Sequence, residues 1–219
     1  MWKDKFRNIS WVIGPYRAIK ALPKNIKIKM EEQRFAIEGP RKLKMVQELF
    51  EAYDKKFFMD MGTLLGIYRD HKLLKRDMDI DTAVYLDTDE QIADFQQYLV
   101  NHGCIHTLSF KSKSIGVFQD AFYWDGTRID VCYYRNDGEK DACFLMYDVD
   151  KIVKLTCTKV EKTTKIPFGG SMVNAPEDVE QYLADRYGKN WRVPDKGYLY
   201  WEGPSAYPIE ERGICEHIC

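Results

Sequence analysis

The sequence predicts an α+β fold, a mixed sheet flanked by helices with a C-terminal helical and aromatic extension. Three observations carry that expectation. Short β-type runs alternate with amphipathic helical stretches from residue 40 onward. Asp125-Gly126 joins two β-rich runs in the manner of a tight hairpin. A capped helical stretch over residues 176–187 is followed by aromatic residues spaced by Gly and Pro. At 219 residues, 45% apolar and 14% aromatic, the chain is long enough for one substantial core. One catalytic domain is expected over residues 40–219, preceded by an arm over residues 1–39.

The arm is the basic part of the molecule. Residues 1–30 hold eight Lys or Arg against one acid, Asp4, interleaved with Trp2, Phe6, Trp11, Val12, Ile13 and Tyr16. Such a segment either docks on the domain or touches an anionic membrane surface. The chain as a whole carries a formal charge of −1, which argues against a globally basic nucleic-acid binder. No apolar stretch is long enough to span a bilayer, and the N-terminus lacks the apolar core of a secretory signal, so a cytoplasmic location is expected, with contact at the inner face of the membrane through the arm.

In order, Pro40 is expected to open a helix in which Leu43, Val46, Leu49, Phe50 and Tyr53 form one apolar stripe. Lys56 to Met59 reads as a short buried strand delivering the chain to Gly62, and Thr63 to Arg69 as the first turns of a helix. Ile80 to Leu86 reads as a core strand. Thr88-Asp89-Glu90-Gln91 fits a capping box before a helix with Ile92, Phe95, Leu99 and Val100 inward, ended by Gly103. Residues 157–175 read as short strands around a Phe168-Gly169-Gly170 turn, and Pro176 to Tyr187 as a helix with Val179, Tyr182 and Leu183 inward and Gly188 as its stop. Trp191, Tyr198, Tyr200, Trp201 and Tyr207 then form either a wall for a nucleobase or sugar or a cover over the core edge.

The chemistry-bearing stretch runs from Gly62 to Asp81. Asp77, Asp79 and Asp81 alternate, and in an extended strand Asp79 and Asp81 point to one side while Ile80 and Thr82 point to the other. Taken alone, such a triplet is also compatible with a solvated strand edge. Its place at the head of a core strand favours a cation seat, because neighbouring like charges there need compensation. Hard oxygen ligands suit Mg²⁺ or Mn²⁺. Upstream, Gly62 and Thr63 at a helix start would cradle phosphate through backbone N–H groups. Asp130 stands in mid-strand on the face opposite Ile129, Val131 and Tyr133, either as a functional group or as a partner for Arg128.

Six cysteines form no close Cys-x-x-Cys pair, and several lie in apolar runs where a reduced thiol is usual. Cys215, His217 and Cys219 lack an obvious fourth ligand for zinc.

Three stretches together resemble the LicD/fukutin family. They are Gly62-Thr63-Leu64-Leu65-Gly66 through Arg69 to Asp77-Met78-Asp79-Ile80-Asp81; Arg128-Ile129-Asp130-Val131; and Ala175-Pro176 with Tyr182-Leu183, Tyr187-Gly188, Trp191 and Pro194. The chain departs from the family pattern at Leu74-Lys75-Arg76, where Ile-Pro-Trp is common, and at Met78 within the acidic run. The resemblance implies a nucleotidyltransferase-like fold. It also implies transfer of a phospho-substituent, such as phosphocholine or an alditol or glycerol phosphate, from a CDP-linked donor to a glycan hydroxyl. Family members serve bacterial surface glycans, lipopolysaccharide or capsule, and dystroglycan in animals.

On that basis Asp79, Asp81 and Asp130 are expected to form the metal-binding and catalytic set, with Mg²⁺ or Mn²⁺ as cofactor. Gly62, Thr63, Arg69, Lys75, Arg76, Asp77, Arg128 and Trp191 are expected to bind substrate. The rivals are an NMP transferase that uses an NTP and a catalytically silent glycan- or nucleotide-binding module.

Overall fold

The computed structural model describes residues 23–74 and 77–218. Lys75, Arg76, Cys219 and the aromatic part of the arm, residues 1–22, lie outside the described residues. The fold is α+β, with a mostly antiparallel sheet and few helices.

The first helix, α1, covers Lys24–Glu51. The expected start at Pro40 is corrected: Pro40 lies inside this helix rather than at its first turn. Proline removes one N–H from the ladder, but Phe35 and Gly39 are buried just before it, and Gly39 lies so close to Leu73 that a Cβ there would collide with Leu73 Cδ1. Tertiary packing therefore carries the helix through the proline. The expected stripe holds for Leu43, Val46, Leu49 and Phe50, all buried, whereas Tyr53 lies past the end of the helix and is half-buried. Gln47 on the same helix exchanges hydrogen bonds with Asn174, donating to its Oδ1 at 2.9 Å and accepting from its backbone N–H at 2.9 Å.

Strand β1, Phe57–Met59, is fully buried and delivers the chain to a short helix α2, Met61–Leu65, which widens into a π-helical turn over Gly66–Asp70. Strand β2, Asp79–Tyr85, follows, and then helix α3, Asp89–Asn101. The N-cap of α3 is formed as expected, with Thr88 Oγ1 accepting from Gln91 N–H at 3.2 Å, but the reciprocal half of the box is shifted by one residue, Gln91 Oε1 accepting from Asp87 N–H at 2.8 Å rather than from that of Thr88. Ile92, Phe95 and Leu99 face the core, whereas Val100, expected inward, is exposed. It lies one residue past Leu99, beyond the buried stripe.

The rest of the sheet comprises β3 (Ile105–Ser112), β4 (Gly116–Trp124), β5 (Thr127–Asp137), β6 (Lys140–Tyr147) and β7 (Lys151–Thr158). Asp125 and Gly126, both at positive φ, make the expected hairpin between β4 and β5. A separate hairpin pairs β8 (Thr163–Phe168) with β9 (Ser171–Pro176) across Gly169-Gly170. Helix α4 covers Val179–Tyr187, capped by Asp178 Oδ1 accepting from Gln181 N–H at 2.9 Å. Pro176, expected to open that helix, instead ends β9, because the Asp178 side chain supplies the cap two residues later.

Two further strands, β10 (Ala206–Arg212) and β11 (Ile214–His217), are separated by Gly213. β10 pairs with β7 while β11 pairs with β3. The strand order is β10-β7-β6-β5-β4-β3-β11, so one continuous segment covers both ends and bends the sheet into a nearly closed barrel. β5 is the hub. Its residues 128–134 lie parallel to β2, and its last three pair with β6.

No described helix is long and apolar enough to cross a membrane. Cys104, Cys132, Cys143 and Cys157 are buried free thiols, and Cys215 is half-buried on β11.

Candidate active site

Parallel pairing of β2 with β5 builds the site. The register sets Asp79 opposite Arg128, Ile80 opposite Ile129 and Asp81 opposite Asp130. Directly opposed residues in neighbouring strands share a face, so Ile80 and Ile129, both fully buried, turn to the core. The acids and Arg128 turn the other way. Asp77 approaches from the loop before β2, and single carboxylate oxygens of Asp77, Asp79 and Asp81 all lie within 4.8 Å of one another. Asp130 stands beside this cluster, held by Arg128 through Nε to Oδ1 at 2.6 Å and Nη2 to Oδ2 at 3.0 Å.

The glycine turn is shaped around these acids. Thr63, buried on α2, accepts from Asp81 N–H at 2.9 Å, and its own N–H and hydroxyl reach Asp81 Oδ2 at 3.3 and 3.4 Å. A Cβ on Gly62 would collide with Asp77 Oδ2, and one on Gly66 would lie 2.6 Å from the Lys72 carbonyl oxygen. Both glycines therefore admit the loop that carries Asp77.

Burial dominates the electrostatics. Asp77 is pushed up to about 6 by desolvation, with the Asp79 charge adding to it. Asp130 also rises to about 6 through burial, against the pull of Arg128. Asp79 is raised by burial and partly relieved by Arg128. Asp81 is raised well above the ordinary carboxylate range by burial and then by the charges of Asp79, Asp130, Asp77 and Asp60. Asp77 Oδ2 is buried without a hydrogen-bond partner among the described residues. Crowded, desolvated, all-oxygen anions with an orphaned acceptor fit a hard divalent cation.

Asp77, Asp81 and Asp130 form part of the wall of a cavity of about 1020 Å³. Of the residues expected from sequence, Gly62, Arg69, Asp77, Asp81, Arg128, Asp130 and Trp191 line it. Thr63 lies beneath, behind Asp81, and Asp79 joins through the carboxylate cluster. Lys75 and Arg76 lie outside the described residues. Arg69 is bound to Asp70 through Nε at 2.8 Å and Nη2 at 3.0 Å, and donates from Nη1 to the Trp191 carbonyl at 3.3 Å. It thereby ties the π turn to the loop after α4. Trp191 packs its ring against Tyr68 at 5.9 Å and lies under Arg192 at 4.2 Å, so only 4% of its surface is exposed.

Other lining residues are ones that sequence patterning did not single out. Phe110, Gln119 and Cys132 face one another across β3, β4 and β5, and all three line the cavity. Tyr187, Tyr198 and Tyr200 also line it. The aromatic tail divides: Tyr198 and Tyr200 line the cavity, Trp201 packs against the core beside Tyr147, and Tyr207 is exposed on β10. Another residue missed from sequence is Asp60. It caps α2, which begins at Met61, two residues ahead of the expected start at Thr63.

The family description that matches this chain is the LicD/FKTN/FKRP nucleotidyltransferase domain, over residues 54–178, more than half of its 219 residues. The chain belongs to the LicD/FKTN/FKRP family. The LicD match begins just before β1 and ends as α4 begins, so it contains the whole acidic cluster and Asp130, while Trp191, Tyr198 and Tyr200 lie beyond it. LicD membership points to a transferase, of the phosphotransfer type that modifies glycans. No curated protein matches the chain.

Proposed function

We propose that this protein is a metal-dependent LicD-type phosphotransferase with a nucleotidyltransferase-like active site. It would move a phospho-substituent of the phosphocholine or alditol or glycerol phosphate type from a CDP-linked donor to a glycan hydroxyl, releasing CMP. The observation that carries this reading is the convergence of Asp77, Asp79 and Asp81 within 4.8 Å, with Asp77 and Asp81 in the wall of a large cavity that Gly62 also lines and with Thr63 holding Asp81.

Asp77, Asp79 and Asp81 would hold Mg²⁺ or Mn²⁺. When bound, the ion supplies charge neutralisation for a diphosphate and its leaving group. Thr63 fixes the Asp81 carboxylate from behind. Asp130, raised to about 6 by burial, is poised to receive a proton near neutral pH. It takes the acceptor hydroxyl proton as that oxygen forms its bond to the distal phosphorus. The bond from that phosphorus to the bridging oxygen breaks, and CMP leaves with the electron pair. Arg128 orients Asp130 through its two-point contact, keeping the proton-accepting oxygen in place. The aromatic wall of Tyr187, Tyr198 and Tyr200 offers flat faces for a base or a sugar ring and displaces water from the site.

The test is CMP release from CDP-choline, CDP-ribitol and CDP-glycerol with mixed glycan acceptors and Mg²⁺. Turnover with one donor, lost in Asp79→Asn and on chelation, is the expected result. Pyrophosphate from CTP or ATP in place of CMP would transfer the reading to an NMP transferase. CDP-ligand binding without metal-dependent turnover would make the protein a binding module.

A further inference from the structure

Behind the acidic cluster lies a second buried polar group that the mechanism above does not use. Asp60 and Tyr134 have no exposed surface, Tyr182 has 2% and Arg186 has 1%. Tyr134 donates from its hydroxyl to Asp60 Oδ2 at 2.8 Å, and Tyr182 donates to Asp60 Oδ1. Each phenol has one proton, so with both directed at Asp60 the 2.6 Å contact between the two phenol oxygens has no proton of its own. Arg186 relieves it, with Nη2 at 2.6 Å from the Tyr134 oxygen and 3.3 Å from that of Tyr182. Arg186, a buried cation, lies against both phenol oxygens. Arg186 keeps Nε and Nη1 without partners among the described residues, so this arrangement is costly to bury.

What the arrangement fixes is the turn into α2. Asp60 Oδ1 accepts from Met61 N–H at 2.6 Å, its carbonyl accepts from Leu64 N–H at 2.9 Å, and its own N–H donates to the Asp81 carbonyl at 3.0 Å. Met61 sits at φ +43, a backbone conformation that a side-chain-bearing residue adopts only under constraint. Two residues later Thr63 clasps both the backbone and the carboxylate of Asp81. The chain from Arg186 to the acidic cluster is therefore continuous, running through phenols, carboxylate, strained turn and threonine.

We propose that Asp60, Tyr134, Tyr182 and Arg186 form a positioning unit that holds the Met61–Thr63 turn, and through Thr63 the Asp81 carboxylate, in the pose needed to bind a divalent ion. The proposal rests on the metal-binding reading of the acidic cluster. Groups that orient a ligand from behind commonly govern affinity by tenfold or more. None of the four needs to touch substrate. Tyr133 provides an internal comparison: it is equally buried and donates to a buried carboxylate, Asp120, at 2.5 Å, yet it points to the opposite face of β5, toward α3.

The experiment is Mn²⁺ titration of the full, metal-stripped chain, followed by the loss of the free-ion electron paramagnetic resonance signal, with melting temperature recorded for each variant. Tyr182→Phe is expected to weaken Mn²⁺ binding about tenfold or more, while Tyr133→Phe lowers the melting temperature but leaves Mn²⁺ affinity unchanged. Tyr134→Phe, which removes the other donor to Asp60, is expected to act as Tyr182→Phe does and serves if that variant does not fold. Unaltered affinity in either folded variant overturns the positioning role, as does an equal loss in Tyr133→Phe. Absence of Mn²⁺ binding by the unaltered chain removes the metal seat itself, a failure distinct from that of the positioning unit.

Discussion

Asp81 and Asp130 stand directly opposite each other on parallel strands, each one residue past a buried isoleucine that pins the register. Because parallel neighbours present opposed residues to the same face, a one-residue slip would bury the acids and expose the isoleucines. The pairing therefore fixes the acid–acid relationship as firmly as it fixes the core. One position back, Asp79 faces Arg128, so the cation that steadies Asp130 also moderates Asp79.

The crowding of these acids sets a pH dependence. Asp77 and Asp130 hold their protons up to about pH 6 in the folded chain, whereas an unfolded aspartate releases its proton at about 3.9. Between those values the folded state binds more protons, so stability of the metal-free protein falls as pH rises through about 6. The protein in chelator is expected to melt higher at about pH 5 than at about pH 7.5, and saturating Mg²⁺ should reduce the difference because ligation favours the ionised acids. Asp77→Asn should flatten the metal-free dependence and abolish divalent-ion binding; differential scanning fluorimetry with and without chelator reads both.

Arg128 holds Asp130 below the value that burial alone would give it. Replacing it with glutamine should move the acidic limb of the kcat/KM profile to higher pH, since Asp130 would then keep its proton longer. The same variant should lower kcat through loss of the two-point orientation. A pH–rate profile for Arg128→Gln unchanged from that of the unaltered protein would count against Asp130 as the base.

Thr63→Val preserves side-chain shape but removes the acceptor for Asp81 N–H. Leaving that buried donor unpaired should cost about 1–3 kcal/mol of stability, measurable by urea titration. Mn²⁺ affinity should fall in parallel, because Asp81 also loses the hydroxyl at its carboxylate.

Gly66→Ala places a methyl group against the Lys72 carbonyl oxygen and the Leu74 backbone nitrogen, neither of which is a movable side-chain end. The loop carrying Asp77 must shift outward, at a cost of about 1–3 kcal/mol. The expected signature is reduced turnover with weaker metal binding, from a substitution on no residue that faces the ion.

Much of the site was legible because it is local. Alternation along β2 placed Asp79 and Asp81 together, and the Asp125-Gly126 turn marked the hairpin that sets Asp130 in its strand, whereas the glycine turn before β2, expected to cradle phosphate, closes on Asp77. The role of Asp60 was harder to read, because its partners Tyr134 and Tyr182 lie 74 and 122 residues away in sequence. The part of the cavity wall made by Phe110, Gln119 and Cys132 depends on β3, β4 and β5 lying in register, which no local pattern encodes. Strands β10 and β11 were hidden for another reason. Pro208, Gly213 and many charged residues make residues 206–217 read as tail, and only the free edges of β7 and β3 make strands of them. At Pro40, packing of Phe35 and Gly39 overrode a local signal for a helix start.

The double pairing of residues 206–217 also has a consequence for folding order. The strands that bear the aspartates are complete by residue 137, but two long edges, on β7 and on β3, stay unpaired until this late segment reaches them. Contacts so distant in sequence form slowly, and an open edge invites pairing with another chain. A refolding chain should therefore acquire its acidic cluster early and pass through an aggregation-prone stage that ends only when one short segment bridges both edges.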